Sequence, residues 1–175
     1  REYGFRGNAQ NLDLNRDFIK CDSRNAMTFN QTFSYWQPHV FLDTHTSNGA
    51  DYQYTMTMLA TQKDKLHTVL RPYFTNKMLP ELYVQMKNAN WEMTPYVMVR
   101  DTPDSGIYGF MDFPRYASGY GALRNVLSFT SETHMLKPFK DRVFSTYTFI
   151  GILAKQLYKD KKEIIRLYNQ ARSID

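Results

Sequence analysis

Apolar residues recur along this chain with two different periods, and the changes of period mark out its elements. In SRNAMTFNQTFSYW, Phe29, Phe33 and Trp36 stand at i, i+4 and i+7, with Ala26 one turn earlier. That spacing predicts a helix from about Ser23 to Trp36. Pro38 should stop it, because a proline disfavours helical geometry in the residue before it. A short buried strand is expected next, with Val40-Phe41-Leu42 as its core and Asp43-Thr44-His45 at its end. Between Lys63 and Ala89, the residues Leu66, Val69, Leu70, Phe74, Met78, Leu82 and Met86 keep helical spacing. Pro72 and Pro80 interrupt this run and should break or kink it. TPYVMVRD reads as one strand and TPDSG as a turn. In NVLSFTSETH a second apolar core, Val126 to Phe129, ends in Thr130-Ser131-Glu132-Thr133-His134. From Lys137 the pattern is helical almost to the last residue, with Phe144, Ile150, Leu153, Leu157, Ile164 and Leu167 on or near one face. Helices alternating with short buried strands predict an α/β fold with a mixed, mostly parallel sheet flanked by helices.

Length and composition narrow the class. The 175 residues suffice for one core and one domain, residues 1–175. The 13 Tyr and 12 Phe argue against disorder, since each buries a large apolar area. No apolar run approaches the roughly 18–20 residues of a membrane helix, so no membrane span is expected. Much of the net charge of +5 sits in AKQLYKDKKEIIRLYNQAR, where Lys and Arg mix with Asp160 and Glu163. That is a solvated helix face, and with no nucleic-acid motif beside it no nucleic-acid partner is expected. Cys21 stands alone, which excludes an internal disulfide framework and a cysteine-rich zinc site. The sequon Asn30-Gln31-Thr32 reads as a chance match.

The chemistry gathers at the two best strands. In open α/β sheets, reacting groups collect beyond the carboxyl ends of the strands. If the strands ending at His45 and at Glu132 are parallel neighbours, these two side chains converge on one crevice. Otherwise each is a polar residue at a strand end.

Three segments in order, NLDLNRDF, FLDTHTSNGADY and SFTSETHMLKPF, resemble motifs of zinc metallocarboxypeptidases of the carboxypeptidase A superfamily. The resemblance runs from Arg6 to about Phe139. It implies that Asn15 and Arg16 bind the carboxylate of a C-terminal residue, a task suited to a planar guanidinium fork with an added amide donor. Asp17 stands where many members have Asn. By the same resemblance His45 is the last of three zinc ligands, which Asp43 could orient. Glu132 is then the general base acting on zinc-bound water. Arg6 polarises the scissile carbonyl, Tyr116 is the mobile capping tyrosine, and Tyr120 is the second choice for that role. Arg124 falls where the family lines its side-chain pocket, and a cation there would favour an acidic terminal residue. A surface or sheet-edge position is the other reading of Arg124.

The family's His-x-x-Glu motif is missing: none of His39, His45, His67 and His134 has Glu three residues later. Catalytic zinc needs about three protein ligands, as in the family's own prototype. The chain, which opens on REYGFRGNAQ, therefore reads as the C-terminal portion of a zinc carboxypeptidase-like domain lacking its N-terminal part. Alone it is expected to bind Zn2+ weakly and to be inactive. His134, two residues past Glu132, is the nearest other imidazole. The implied substrate is a peptide or amide with a free carboxylate, and family resemblance alone favours a secreted or periplasmic setting. A homodimer through an exposed sheet edge is a further expectation. Two other functions fit the same residues: an amidase or deacylase on this scaffold, and a non-catalytic binding module that has lost its metal.

Overall fold

The computed structural model describes residues 4–174. Helix α1 (Arg24–Trp36) begins where Ser23 caps it, the Ser23 hydroxyl accepting from the Ala26 N–H. It ends at Gln37, whose positive φ of 45° turns the chain ahead of Pro38. Four strands make the main sheet: β1 (Val40–Ser47), β2 (Met56–Ala60), β3 (Met93–Pro95) and, later in the chain, β6 (Leu127–His134). Their order is β1-β6-β2-β3. β1 runs parallel to β6 and β2 parallel to β3, while β2 and β6 are antiparallel. The sheet is thus mixed and mostly parallel, as the alternation of elements predicts.

Three local expectations need correction. Both site-bearing strands continue to Ser47 and His134, so His45 and Glu132 lie inside paired strand and not beyond it. TPYVMVRD is not one strand. β3 ends at Pro95, and β4 (Val97–Val99) pairs with β5 (Ile107–Gly109) in a separate two-stranded ribbon. Pro95 cannot donate to a ladder, and the chain changes sheets at Tyr96. Finally, the helical run is shorter than its spacing suggests: Lys63–Lys65 makes only a 3-10 turn, the helix begins at Arg71, and from there on the prolines do not break it. Pro72 sits in the first turn of α2 (Arg71–Tyr73), where a missing N–H costs nothing. A π-helical stretch, Phe74–Met78, then leads into α3 (Leu79–Asn88), with Pro80 in its first turn. Widening the turn before Pro80 relieves the clash its ring would otherwise cause. The Thr-Pro-Asp-Ser-Gly turn is a 3-10 turn closed by Gly106, whose φ of 120° suits glycine.

Alternation along β1 and β6 sends side chains to two different layers. Val40, Leu42, Leu127 and Phe129 face the main core, with Phe74, Met78, Leu82 and Met86. The 36-residue helix α5 (Phe139–Ile174) closes that side with Phe149, Leu153, Ile164 and Leu167. Phe41 faces the opposite side and meets Phe18, Phe29, Phe33 and Tyr120 in an aromatic cluster. Asn30 is held inside this cluster, donating to the Phe18 and Ala26 carbonyls and accepting from the Tyr120 hydroxyl. An amide so engaged fits the chance-match reading of the sequon. β1 forms one edge of the sheet, and beside it Phe139, Val143, Tyr147 and Ile150 of α5 remain exposed. Among the described residues no helix is long and apolar enough to cross a membrane.

The short helix α4 (Ala117–Ala122) is buried along its whole length: all its residues but Tyr120 are small, and Tyr120 enters the aromatic cluster. A Cβ placed on Gly121 would lie 2.1 Å from the Ser128 hydroxyl of β6, and one on Gly119 would lie 2.1 Å from the Asp112 carbonyl. Backbone-close packing of α4 on β6 holds Tyr116 and Ser118 against the sheet's carboxyl end. Gly121→Val should push α4 off β6 and lower stability by about 1–3 kcal/mol, an overpacking cost. Urea unfolding checks this, and an unchanged midpoint would contradict the packing described.

Candidate functional site

The register of β1 on β6 pairs His45 with Glu132 directly, with Asp43 opposite Thr130 and Ser47 opposite His134. All face the side of the sheet that carries α1 and α4. A cleft of about 170 Å³ opens there, lined by Arg6, Asn15, Arg16, His45, Tyr116 and Glu132 together with Ser47, Tyr96 and Phe110. Six of the eight residues singled out from the sequence meet at it. The other two do not.

Tyr116 and Tyr120 stand four apart, but Tyr116 is the extended N-cap of α4 and does not share its helical face with Tyr120. Tyr120 is buried in the aromatic cluster, 3 % exposed, and reaches no part of the cleft. Tyr116 lies at the rim. The Arg16 guanidinium sits 4.6 Å and the Arg115 guanidinium 5.0 Å from its ring centre, and Phe110 meets it edge-on. The Arg115 Nη2 also donates to the Tyr116 hydroxyl at 3.0 Å. Arg124 lies beyond α4, where Asn125 takes a positive φ of 58° and the chain reverses into β6. Its side chain runs over Phe33 and Tyr120 to Ser34, on the far side of the aromatic cluster.

Asn15 and Arg16 sit in a single 3-10 turn, Leu14–Arg16, capped by Asp13, which accepts from the Asn15 N–H at 3.0 Å. The next residue anchors that turn. Buried Asp17 accepts from the backbone N–H groups of Asp22 and Ser23, both at 2.9 Å, tying the turn to the start of α1. Burial opposes ionisation of Asp17, but its bonds from Ser23 and Asp22 win and hold its pKa below the usual carboxylate value. The departure from Asn at this position therefore has a structural role here. Arg6 pairs with Asp13 through its Nε. Arg16 donates to the Asn15 carbonyl at 2.8 Å and, among the described residues, has no carboxylate partner.

At the other side of the cleft His45 is held between two acids. Its Nε2–H donates to Asp43 Oδ2 at 2.8 Å and its Nδ1–H to Glu132 Oε1 at 3.2 Å. Asp43 reaches the ring because residues two apart on a strand share a face. Burial alone would lower the His45 pKa. The bonds from Asp43 and Glu132 outweigh it and raise the value to about 10. The imidazole is therefore a cation at neutral pH, and Glu132 keeps an oxygen for the cleft.

Sequence reasoning missed Tyr96. It lines the cleft beside Ser47 from the link between β3 and β4, and burial raises the pKa of its phenol. The only available signal was the proline before it, which argues against an uninterrupted strand.

A catalytic zinc takes about three converging protein ligands. Asp43 and Glu132 lie on opposite edges of the His45 ring and cannot converge with it on one ion. His134 has both ring nitrogens engaged, one with the Gly49 carbonyl at 2.9 Å and one with the Leu136 N–H at 3.2 Å. Among the described residues no group of three or more His, Cys, Asp or Glu side chains is placed to hold a metal.

The His45 pKa gives a testable pH dependence. A cation stabilised in the folded state contributes fully below its unfolded pKa, ordinarily near 6.5, and that contribution disappears as pH rises toward about 10. Wild-type stability should therefore fall relative to His45→Gln between these values. NMR titration of the His45 ring should show a midpoint well above 6.5 that drops in Asp43→Asn. A midpoint at or below 6.5 would contradict the bridged imidazolium.

Compared with protein-family models, curated proteins and solved structures, the chain matches none of them.

Proposed function

We propose that the cleft binds the free carboxylate of a peptide or amide substrate and belongs to a hydrolase of the metallocarboxypeptidase type. The observation that carries this reading is the placing of Arg16, a cation with no carboxylate partner among the described residues, in one cleft with Glu132. A ligand carboxylate supplies the anion that Arg16 lacks, and the Asn15 amide adds a donor. The acyl group of a ligand anchored there extends toward Glu132, which can accept a proton from an attacking water. His45 bonds one Glu132 oxygen through its Nδ1, and Asp43 fixes the ring through Nε2. Arg6, at the mouth of the cleft, retains terminal N–H groups for a carbonyl oxygen. Zinc in such an enzyme would need ligands beyond His45.

A second reading is a carboxylate-binding module without turnover. The engagement of both His45 ring nitrogens by carboxylates favours it, because that ring is then a charge bridge and not a free ligand. Both readings require carboxylate recognition. They differ in chemistry. An amidase or deacylase acting on substrates without a carboxylate would not need the Arg16 and Asn15 pair.

Calorimetry with an N-acetylated amino acid and its amide tests the shared core. The acid should bind and the amide should not, and Arg16→Gln should weaken binding by about 1.5–3 kcal/mol, roughly 10- to 150-fold. Equal binding of acid and amide would overturn carboxylate recognition. Zinc titrated into the same protein should bind only weakly, and a tight one-to-one site would contradict the ligand count.

A further inference from the structure

On the far side of the aromatic cluster from this cleft lies a recess of about 330 Å³. Phe33, Pro38, Val126 and Tyr168 give it an apolar floor. Two arginines line it. Arg124 enters from the reversal after α4, and Arg172 comes from the last turns of α5. Arg124 Nη1 donates to the Ser34 hydroxyl at 2.7 Å, and Arg172 Nη2 donates to the Gln37 side-chain oxygen at 2.9 Å. Both guanidiniums are also laid against rings. Arg124 is 5.1 Å from the Tyr120 ring centre and Arg172 is 5.0 Å from that of Tyr168. Neither has a carboxylate partner among the described residues.

Tyr168 brings the two cations together. Its hydroxyl donates to the Arg124 carbonyl at 2.9 Å while its ring carries Arg172. Burial raises the pKa of this phenol, and the charges of Arg172 and Arg124 both act on it in the opposite direction. Two like charges oriented over one recess repel each other, and an anion placed between them removes that cost. A guanidinium carries five N–H donors in a fixed fork, and each of these two spends one on a neutral oxygen. The remaining donors suit an acceptor with several oxygens and a charge near −2, which describes a phosphoryl group better than a single carboxylate.

We propose that this recess binds a phosphate monoester, with its phosphoryl oxygens on Arg124 and Arg172 and its organic group on the apolar floor. The site is separate from the cleft that holds Arg16 and stands whether or not that cleft is hydrolytic. His39 reports on it directly. Its ring meets Tyr168 edge-on with centroids 4.4 Å apart, and burial, then the Arg172 charge, hold its pKa below the ordinary value. A dianion beside Arg172 offsets that charge, so the His39 pKa rises when the site fills.

The experiment titrates phenyl phosphate and, separately, inorganic phosphate into the protein at about 0.15 M salt, following the His39 ring by NMR and affinity by calorimetry. Saturable binding with a rise in the His39 pKa is expected, and phenyl phosphate should bind more tightly because its ring covers the floor. Arg124→Gln and Arg172→Gln should each weaken binding about tenfold, while Arg16→Gln leaves it unchanged. Both arginines are exposed, and the Arg172→Gln variant near the end of α5 supplies the test if Arg124→Gln disturbs the aromatic cluster. Absence of saturable binding, wild-type affinity in the Arg124→Gln and Arg172→Gln variants, or loss of binding in Arg16→Gln would overturn the assignment. Equal affinity for the two phosphates would remove the organic group from it.

Discussion

The parallel pairing of β1 with β6 is the constraint on which the rest of the structure depends. Side chains on a strand alternate with a period of two, so a slip of one residue would exchange the faces of a whole strand. The register is fixed by apolar residues on both sides. Val40 and Leu42 are committed to the main core, and Phe41 to the aromatic cluster. With those three positions set, Asp43 and His45 follow Phe41 onto the same face, and Glu132 follows Ser128 onto the matching face of β6. The packing that stabilises the fold thereby places a histidine and a glutamate side by side. Small residues complete the arrangement, since only glycine at 121 lets α4 close over Ser128.

Charge is distributed unevenly around the cleft that results. On one side the His45 cation is matched by Asp43 and Glu132, and on the other Arg6 is matched by Asp13. Arg16 is left between them. Its position is set by Asp17, whose buried carboxylate ties the 3-10 turn to the start of α1. A cation held on a rigid anchor without a counter-charge is prepared for an anionic ligand, and holding it there in advance spares a ligand the cost of ordering it. The Arg124 and Arg172 pair repeats the principle at a second place, with aromatic rings and neutral oxygens as the supports.

How much of this was legible in the sequence follows from which signals are local. Helix α1 could be read within a residue because the Phe29 and Phe33 spacing lies within it and Ser23 and Pro38 flank its two ends. The strands bearing His45 and Glu132 were recognisable by their apolar cores, but their length was not. Polar residues that face a cleft look from sequence like the end of a strand. β2 escaped notice because Met-Thr-Met-Leu-Ala has neither the β-branched density of a buried strand nor a clean alternation of exposure, and its burial comes from lying between β6 and β3. Tyr120 and Arg124 were placed at the site through the family resemblance, as the second capping tyrosine and as a residue of the pocket-lining stretch. The N-cap of α4 and the positive φ at Asn125 turn them away, and such backbone reversals leave little trace in composition.

The most direct test of the account is a crystal structure of the chain with an N-acetylated amino acid. The account predicts the ligand carboxylate on the Arg16 guanidinium and the Asn15 amide, with its acyl carbon toward Glu132 and the Asp43–His45–Glu132 chain intact. A ligand carboxylate bound elsewhere, or a His45 ring turned away from Glu132, would contradict it.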